Sequence, residues 1–181
     1  MDGLNQRYEV LTDKELTGSG PFTISTGVQT EYSDMNLVTA GDDVKLSIDP
    51  SGYVQFTVGD VTLTSQKNVT TVIEKAYGVF GTDDYVSTRT ESVTLGKVND
   101  GETHAITAVR EVNGMLKLYL DGELYASCYD QKNLNQELSG GTITIADSNF
   151  AGRLAEVQIL NKALGYDEVS MYGGKLDINP Q

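Results

Sequence analysis

The sequence predicts an all-β domain: an antiparallel β-sandwich with one short C-terminal helix. Three observations carry that expectation. Segments rich in Thr, Val and Tyr recur about every ten residues, each closed by a turn. Within most of them apolar and polar residues alternate, the period of a strand with one buried face. Near the end, residues 161–172 read as a short helix, with Asp167 and Glu168 in the first turn, where carboxylates suit the dipole, and Gly173 to close it.

Taken in order, residues 8–11 read as an opening strand and 17–21 as a turn cluster. Residues 22–30 alternate, with Phe22, Ile24 and Val28 on one side. Short strands follow at 36–39, 44–48, 53–58 and 61–64. Asp49-Pro50-Ser51-Gly52 divides two of them, with Pro where its fixed φ suits a turn. Residues 69–77 fit a strand or a short helix, because their apolar positions select neither period. Residues 78–84 read as a loop and 85–95 as a strand. Near the end come a polar loop (129–141), a strand (142–145), an acidic turn (146–149) and a long strand (150–160). No repeat, heptad or low-complexity linker divides the chain, so residues 1–181 are expected to form one domain.

The most informative stretch is 101–128, a strand, an Asn-Gly turn, a second strand, an Asp-Gly turn and a third strand. A two-residue loop at Asp121-Gly122 would set Leu120 opposite Glu123 and Leu118 opposite Tyr125, mixing polarity on each face. A three-residue loop over 120–122, with Gly122 as a left-handed bulge residue, pairs Leu118 with Leu124 and Leu116 with Ala126. The cleaner separation favours the second register. It places Leu116, Leu118, Leu124, Ala126 and Cys128 on the core, and turns Lys117, Tyr119, Glu123, Tyr125 and Ser127 outward.

The net charge of -13 argues against a nucleic-acid partner, which needs a basic surface, and against anionic membranes. No apolar run approaches the roughly 18 residues of a membrane span. No signal peptide is legible, and Met1-Asp2-Gly3 reads as an artificial start, so the original N-terminus is expected to lie outside this chain. The single cysteine, Cys128, excludes an internal disulfide and reads as a small buried hydrophobe. A catalytic thiol would need a base, and the only histidine is His104.

Three segments together resemble the laminin-G-like, concanavalin-A-like jelly-roll superfamily. Asp100-Gly101-Glu102-Thr103-His104 is similar to its "DGxWH" entry into a strand. Leu118-Tyr119-Leu120-Asp121-Gly122-Glu123-Leu124 is similar to "LYVDGxL". Residues 150–159 with Asn161-Lys162-Ala163-Leu164 and Glu168-Val169 are similar to "FxGxIDEVRIYNRALSxEEI", and 22–28 to "FTISxWV". The matches spread over 22–172. The chain departs from these patterns at Thr103 and Gly27, where tryptophans are usual, and at Ala155, where an aspartate is usual.

The resemblance implies a non-catalytic carbohydrate-binding module of a larger secreted or cell-surface bacterial glycoside hydrolase. Its partners would be a glycan, sialylated or galactose-containing, and a covalently linked catalytic domain. The rival reading is an adhesin or a structural spacer. The resemblance also implies one structural Ca²⁺ between an early loop and the last strands. Asp34 and Asp147 are the leading candidate ligands, since calcium takes oxygen donors.

Glycoside hydrolysis needs two carboxylates at a set separation. The Glu-x-Asp-x-x-Glu pattern of catalytic relatives is absent, and the acidic residues are scattered or in turns. Sugar binding asks for aromatic platforms with a few convergent polar groups. With no Trp, tyrosines must serve: Tyr119 and Tyr125 on the outward face, Tyr77 and Tyr85 around the loop before Arg89, and Tyr129 after the hairpin. Arg89 could fork a sialic acid carboxylate, with Tyr85 and Glu91 beside it, or pair with Glu91 at the surface.

Overall fold

Alternating burial sorts the chain into two five-stranded antiparallel sheets, seen in a computed structural model that describes residues 17–18, 20–77, 85–129, 138–139 and 141–173. The strands are β1 (Thr17–Gly18), β2 (Phe22–Gln29), β3 (Met35–Ala40), β4 (Val44–Ile48), β5 (Val54–Val58), β6 (Val61–Thr64) and β7 (Lys67–Tyr77). They continue as β8 (Tyr85–Leu95), β9 (Thr103–Arg110), β10 (Leu116–Leu120), β11 (Glu123–Cys128), β12 (Leu138–Ser139), β13 (Ile143–Ile145) and β14 (Arg153–Leu160), followed by helix α1 (Tyr166–Gly173). Sheet one runs β11-β10-β9-β2-β14 and sheet two β13-β3-β4-β5-β6. β7 and β8 form a separate ribbon, and β1 pairs with β12.

The predicted β-sandwich is therefore the observed fold. The inward positions of both sheets form one apolar cluster that includes Ile24, Val28, Leu46, Phe56, Leu118 and Ile159. Phe22 and Phe56 meet edge to face across it, with ring centroids 6.1 Å apart. The 69–77 ambiguity resolves as strand, within β7. The expected opening strand at 8–11 and loop at 78–84 lie outside the described residues, as does most of the 129–141 loop. The helix starts later than expected, at Tyr166, because residues 161–165 are held against β2. Thr23 Oγ1 donates to the Lys162 carbonyl at 2.7 Å and accepts the Leu164 N–H at 3.0 Å.

The hairpin at Asp121 corrects the expected register. The loop has two residues, with φ of 52° at Asp121 and 82° at Gly122, the paired positive values of a type I′ turn. Leu120 lies opposite Glu123 and Tyr119 opposite Leu124, then a bulge at Tyr125 restores Leu118 opposite Ala126 and Leu116 opposite Cys128. The turn supplied the preferred twist, and the extra residue repaired the faces that it would have mixed. Leu124 thus falls on Tyr119's side of the sheet and is partly exposed, not in the core.

Tyr119 is also corrected. It is buried, not outward-facing, in a second apolar cluster where α1 crosses sheet one, with Val109, Leu164 and Val169 around it. Tyr125 is half-buried against the main core, under the Lys67 ammonium at 5.4 Å. The two tyrosines are wedges in different clusters.

The family-pattern departures at Gly27 and Ala155 are cross-strand neighbours. Beside them β14 bulges between Ala155 and Gln158, with Glu156 at φ 50°. The missing tryptophan and the missing aspartate thus belong to one place on sheet one.

Truncating Tyr119 to Ala should cost about 3 kcal/mol of folding stability, since it empties the space under α1. Tyr125→Ala should cost about 1 kcal/mol, because that ring is only half-buried. Urea denaturation of both variants measures the difference; equal losses would contradict the two-cluster description.

Candidate functional site

The outer face of sheet two carries a row of polar residues. β4 and β5 alternate Val44-Lys-Leu-Ser-Ile48 and Val54-Gln-Phe-Thr-Val58, so burying Leu46 and Phe56 turns Lys45, Ser47, Gln55 and Thr57 outward. The strand register then sets Asn36 beside Ser47 and Ser47 beside Gln55, an amide, a hydroxyl and an amide in line across three strands. They form the floor of a cleft of about 220 Å³.

Two loops wall the cleft. One contains Asp34, at φ 59°, whose N–H donates to the Asp49 carbonyl at 3.2 Å. Asp49 is held in turn: its Oδ1 accepts the Ser51 and Tyr53 amides at 2.8 and 3.0 Å. The other wall is the 146–149 turn, pinned to β3 by the Ala146 N–H on the Leu37 carbonyl at 2.9 Å. Asp147 Oδ2 accepts from Asn36 Nδ2 at 2.7 Å, and its Oδ1 accepts the Asn149 amide at 3.0 Å. Lys45 supplies the cationic group of the lining. Carboxylates, amides, a hydroxyl and an ammonium so placed can donate to and accept from the vicinal hydroxyls of a sugar.

The two aspartates proposed for metal, Asp34 and Asp147, do come together here. Calcium requires six to eight oxygen donors. Both Asp147 oxygens already accept hydrogen bonds, and among the described residues no group of three or more His, Cys, Asp or Glu is placed to hold a metal ion.

The predicted sugar-binding residues do not converge. Tyr119 lies beneath α1 and Tyr125 against the core. Tyr129 is exposed beyond the end of β11. Tyr77 and Tyr85 pair through their backbones at the far end of the β7–β8 ladder. On the same ribbon Arg89 forms an ion pair with Glu91 at an exposed site, the second of the two readings open for it. The residues that sequence reasoning missed are Asn36, Lys45, Ser47, Gln55 and Asn149. Their signal was the polar phase of β4 and β5, but only the cross-strand register shows them to be adjacent.

His104 occupies a different place. Its Nδ1 lies 2.8 Å from Asp121 Oδ2 and its Nε2 2.9 Å from Asp100 Oδ1. Asp121 Oδ1 also accepts the Ala105 N–H at 2.8 Å, so the clamp locks the I′ turn to the start of β9. The Asp121 hydrogen bond, outweighing burial, and the Asp100 contact together raise the His104 pKa to about 9. Burial pushes the Asp100 carboxyl up, but the His104 hydrogen bond and charge hold it below its ordinary value. A protonated imidazole with both nitrogens engaged is no general base. Cys128 pairs beyond Leu116 at the Arg110 end of β9, six residues or about 20 Å from His104, which separates thiol from imidazole.

The β-sandwich fold agrees with the comparisons. The description "Concanavalin A-like lectin/glucanases superfamily" matches residues 3–170. The chain belongs to that superfamily. Among solved structures, it is similar to the binding domain of Paraclostridial Mosquitocidal Protein 1, at 16% identity and a TM-score of 0.57, over 88% of this chain and 38% of that one. A putative carbohydrate binding protein from Bacteroides ovatus is similar at 13% identity and a TM-score of 0.55, over 95% and 44%. Botulinum neurotoxin type C, whose cell entry is dependent upon interaction with two ganglioside molecules, is similar at 11% identity and a TM-score of 0.54, over 89% and 37%. This chain spans about two fifths of the length of these solved chains. A comparison with curated protein sequences gives no match. The fold is thus lectin-like, and no helix among the described residues is long and apolar enough to cross a membrane.

Because its folded pKa is raised, His104 contributes stability that is complete below pH about 6.5 and is lost as pH rises through about 9. The loss should be on the order of 3 kcal/mol. Chemical denaturation from pH 6 to 10 should show this limb in the native chain and not in His104→Gln.

Proposed function

We propose that the chain is a non-catalytic carbohydrate-binding module whose site is the polar cleft on sheet two. The observation that carries this reading is the line of Asn36, Ser47 and Gln55 flanked by the carboxylates of Asp34 and Asp147. Hydrogen-bonding groups of both kinds on a rigid sheet suit recognition of adjacent ring hydroxyls. At about 220 Å³ the cleft is smaller than the usual range for drug-sized ligands, and it matches a terminal sugar rather than a long glycan segment.

Charge favours one of the two sugar classes expected. Asp34, Asp49 and Asp147 outnumber Lys45, so a sialic acid carboxylate would meet like charge. A neutral, galactose-type terminal residue is the better fit. The family match and the likeness to a putative carbohydrate binding protein support the glycan reading. The proposed setting is secreted or cell-surface and bacterial, beside a covalently linked glycoside hydrolase domain, as the motif resemblance over residues 22–172 implies. There the module would raise the local concentration of the enzyme at its substrate.

On a glycan array the domain should bind neutral terminal hexoses and pass over sialylated ones. Asn36→Ala and Asp147→Asn should each weaken binding at least tenfold by calorimetry, at unchanged circular dichroism. Tyr129→Ala and Arg89→Ala should leave it unchanged. Silence across the array would favour a spacer or a protein-binding adhesin, and turnover of a glycoside would overturn the non-catalytic reading. Binding by direct hydrogen bonds should survive a chelator; loss with chelator and recovery with Ca²⁺ would put the cation at Asp34 and Asp147 instead.

A further inference from the structure

The β7–β8 ribbon is the part of the fold that the cleft does not use. It is a two-stranded sheet of eleven residues a side, and no other described strand pairs with either edge. Among the described side chains both its faces are open: Val72 and Thr90 are exposed on one, Val93 and Leu95 on the other. Such a ribbon is marginal on its own, and a long edge without Pro or Gly is a template for another strand.

We propose that β8 pairs edge to edge with β8 of a second copy of this chain, antiparallel and in full overlap. The midpoint of β8 is Thr90, which would sit on the two-fold axis facing its own counterpart. Arg89 then lies opposite Glu91 of the second copy, and Glu91 opposite Arg89, two ion pairs made by one symmetric register. The side chains are ready for this: Arg89 is exposed and Glu91 partly so, and they share a face and attract each other within the chain. β7 has no such symmetry. Overlap about its midpoint, Val72, would set Thr71 against Ile73 and Thr70 against Glu74, with no opposite charges.

The charge distribution points the same way. A chain of net charge -13 repels its copies over most of its surface, whereas β8 carries one cation and one anion and is neutral. The product is a four-stranded β7-β8-β8-β7 sheet in which Val93 and Leu95 gain neighbours across the axis.

Sedimentation equilibrium from low-micromolar to millimolar protein tests the pairing. The native chain should dimerise. Arg89→Glu and Glu91→Arg each put like charges across the axis and should weaken self-association at least tenfold. An equimolar mixture of the two variants should dimerise again, since each charge then meets its opposite, although neither chain keeps its internal pair. Cross-linking reads the register without altering these charges: on a Cys128→Ser background, Thr90→Cys should oxidise to a dimer faster than Ser92→Cys, whose counterpart lies off the axis. A native chain monomeric throughout, association indifferent to either charge reversal, a mixture that stays monomeric, or equal cross-linking at 90 and 92 would each overturn the proposal.

Discussion

Burial of β2 on both faces is the constraint on which the rest of the structure depends. Its inward side chains, Phe22, Ile24 and Val28, form part of the sandwich core. Its outward ones include Thr23 and Ser25, both buried. A buried hydroxyl needs a partner, and each finds one: Thr23 binds the segment before α1, and Ser25 lies 3.4 Å from Thr107 of the neighbouring strand. A central strand with no solvent face thus fixes the helix position, and the helix in turn decides that Tyr119 is structural.

The same strand hands the chain on to the cleft. Thr30, just past its end, donates to the Ala151 carbonyl at 2.6 Å and accepts the Tyr32 amide at 3.0 Å. Its own carbonyl accepts the Gly101 N–H at 2.9 Å. A Cβ on Gly152 would come within 2.5 Å of the Gln29 carbonyl oxygen, so the loops close here at glycine distance. The wall bearing Asp34 therefore starts from a firmly tied point, which suits a site that must hold hydrogen-bonding groups at fixed spacing. Electrostatics divides the molecule in a parallel way. The Asp100–His104–Asp121 clamp uses both imidazole nitrogens to secure a turn, while in the cleft Asp49 and Asp147 accept hydrogen bonds from amides.

Much of this was legible in the sequence. Period-two alternation and turn residues placed most strands, because both act within a few residues of chain. The family resemblance rested on three ordered motifs, and the match over 3–170 bears it out. The Asp121-Gly122 turn was located correctly, but its loop length was not. Loop length is not the only determinant of the faces, because a bulge at Tyr125 also keeps aliphatics inward. The expectation that tyrosines would gather on one surface failed with that register, and because a helix distant in sequence covers Tyr119.

The sequence by itself determined the sandwich, the approximate strands, the position of the Asp121-Gly122 turn and the polar phase of β4 and β5. Tertiary structure alone decided which polar positions are neighbours, since Asn36, Ser47 and Gln55 become a row only through pairing across three strands. It likewise brought Asp34 to Asp147, 113 residues apart in the chain, by closing β13 onto β3. The physical reason is one of range: alternation and turn geometry are encoded locally, whereas a binding surface is made by register and by what covers each face.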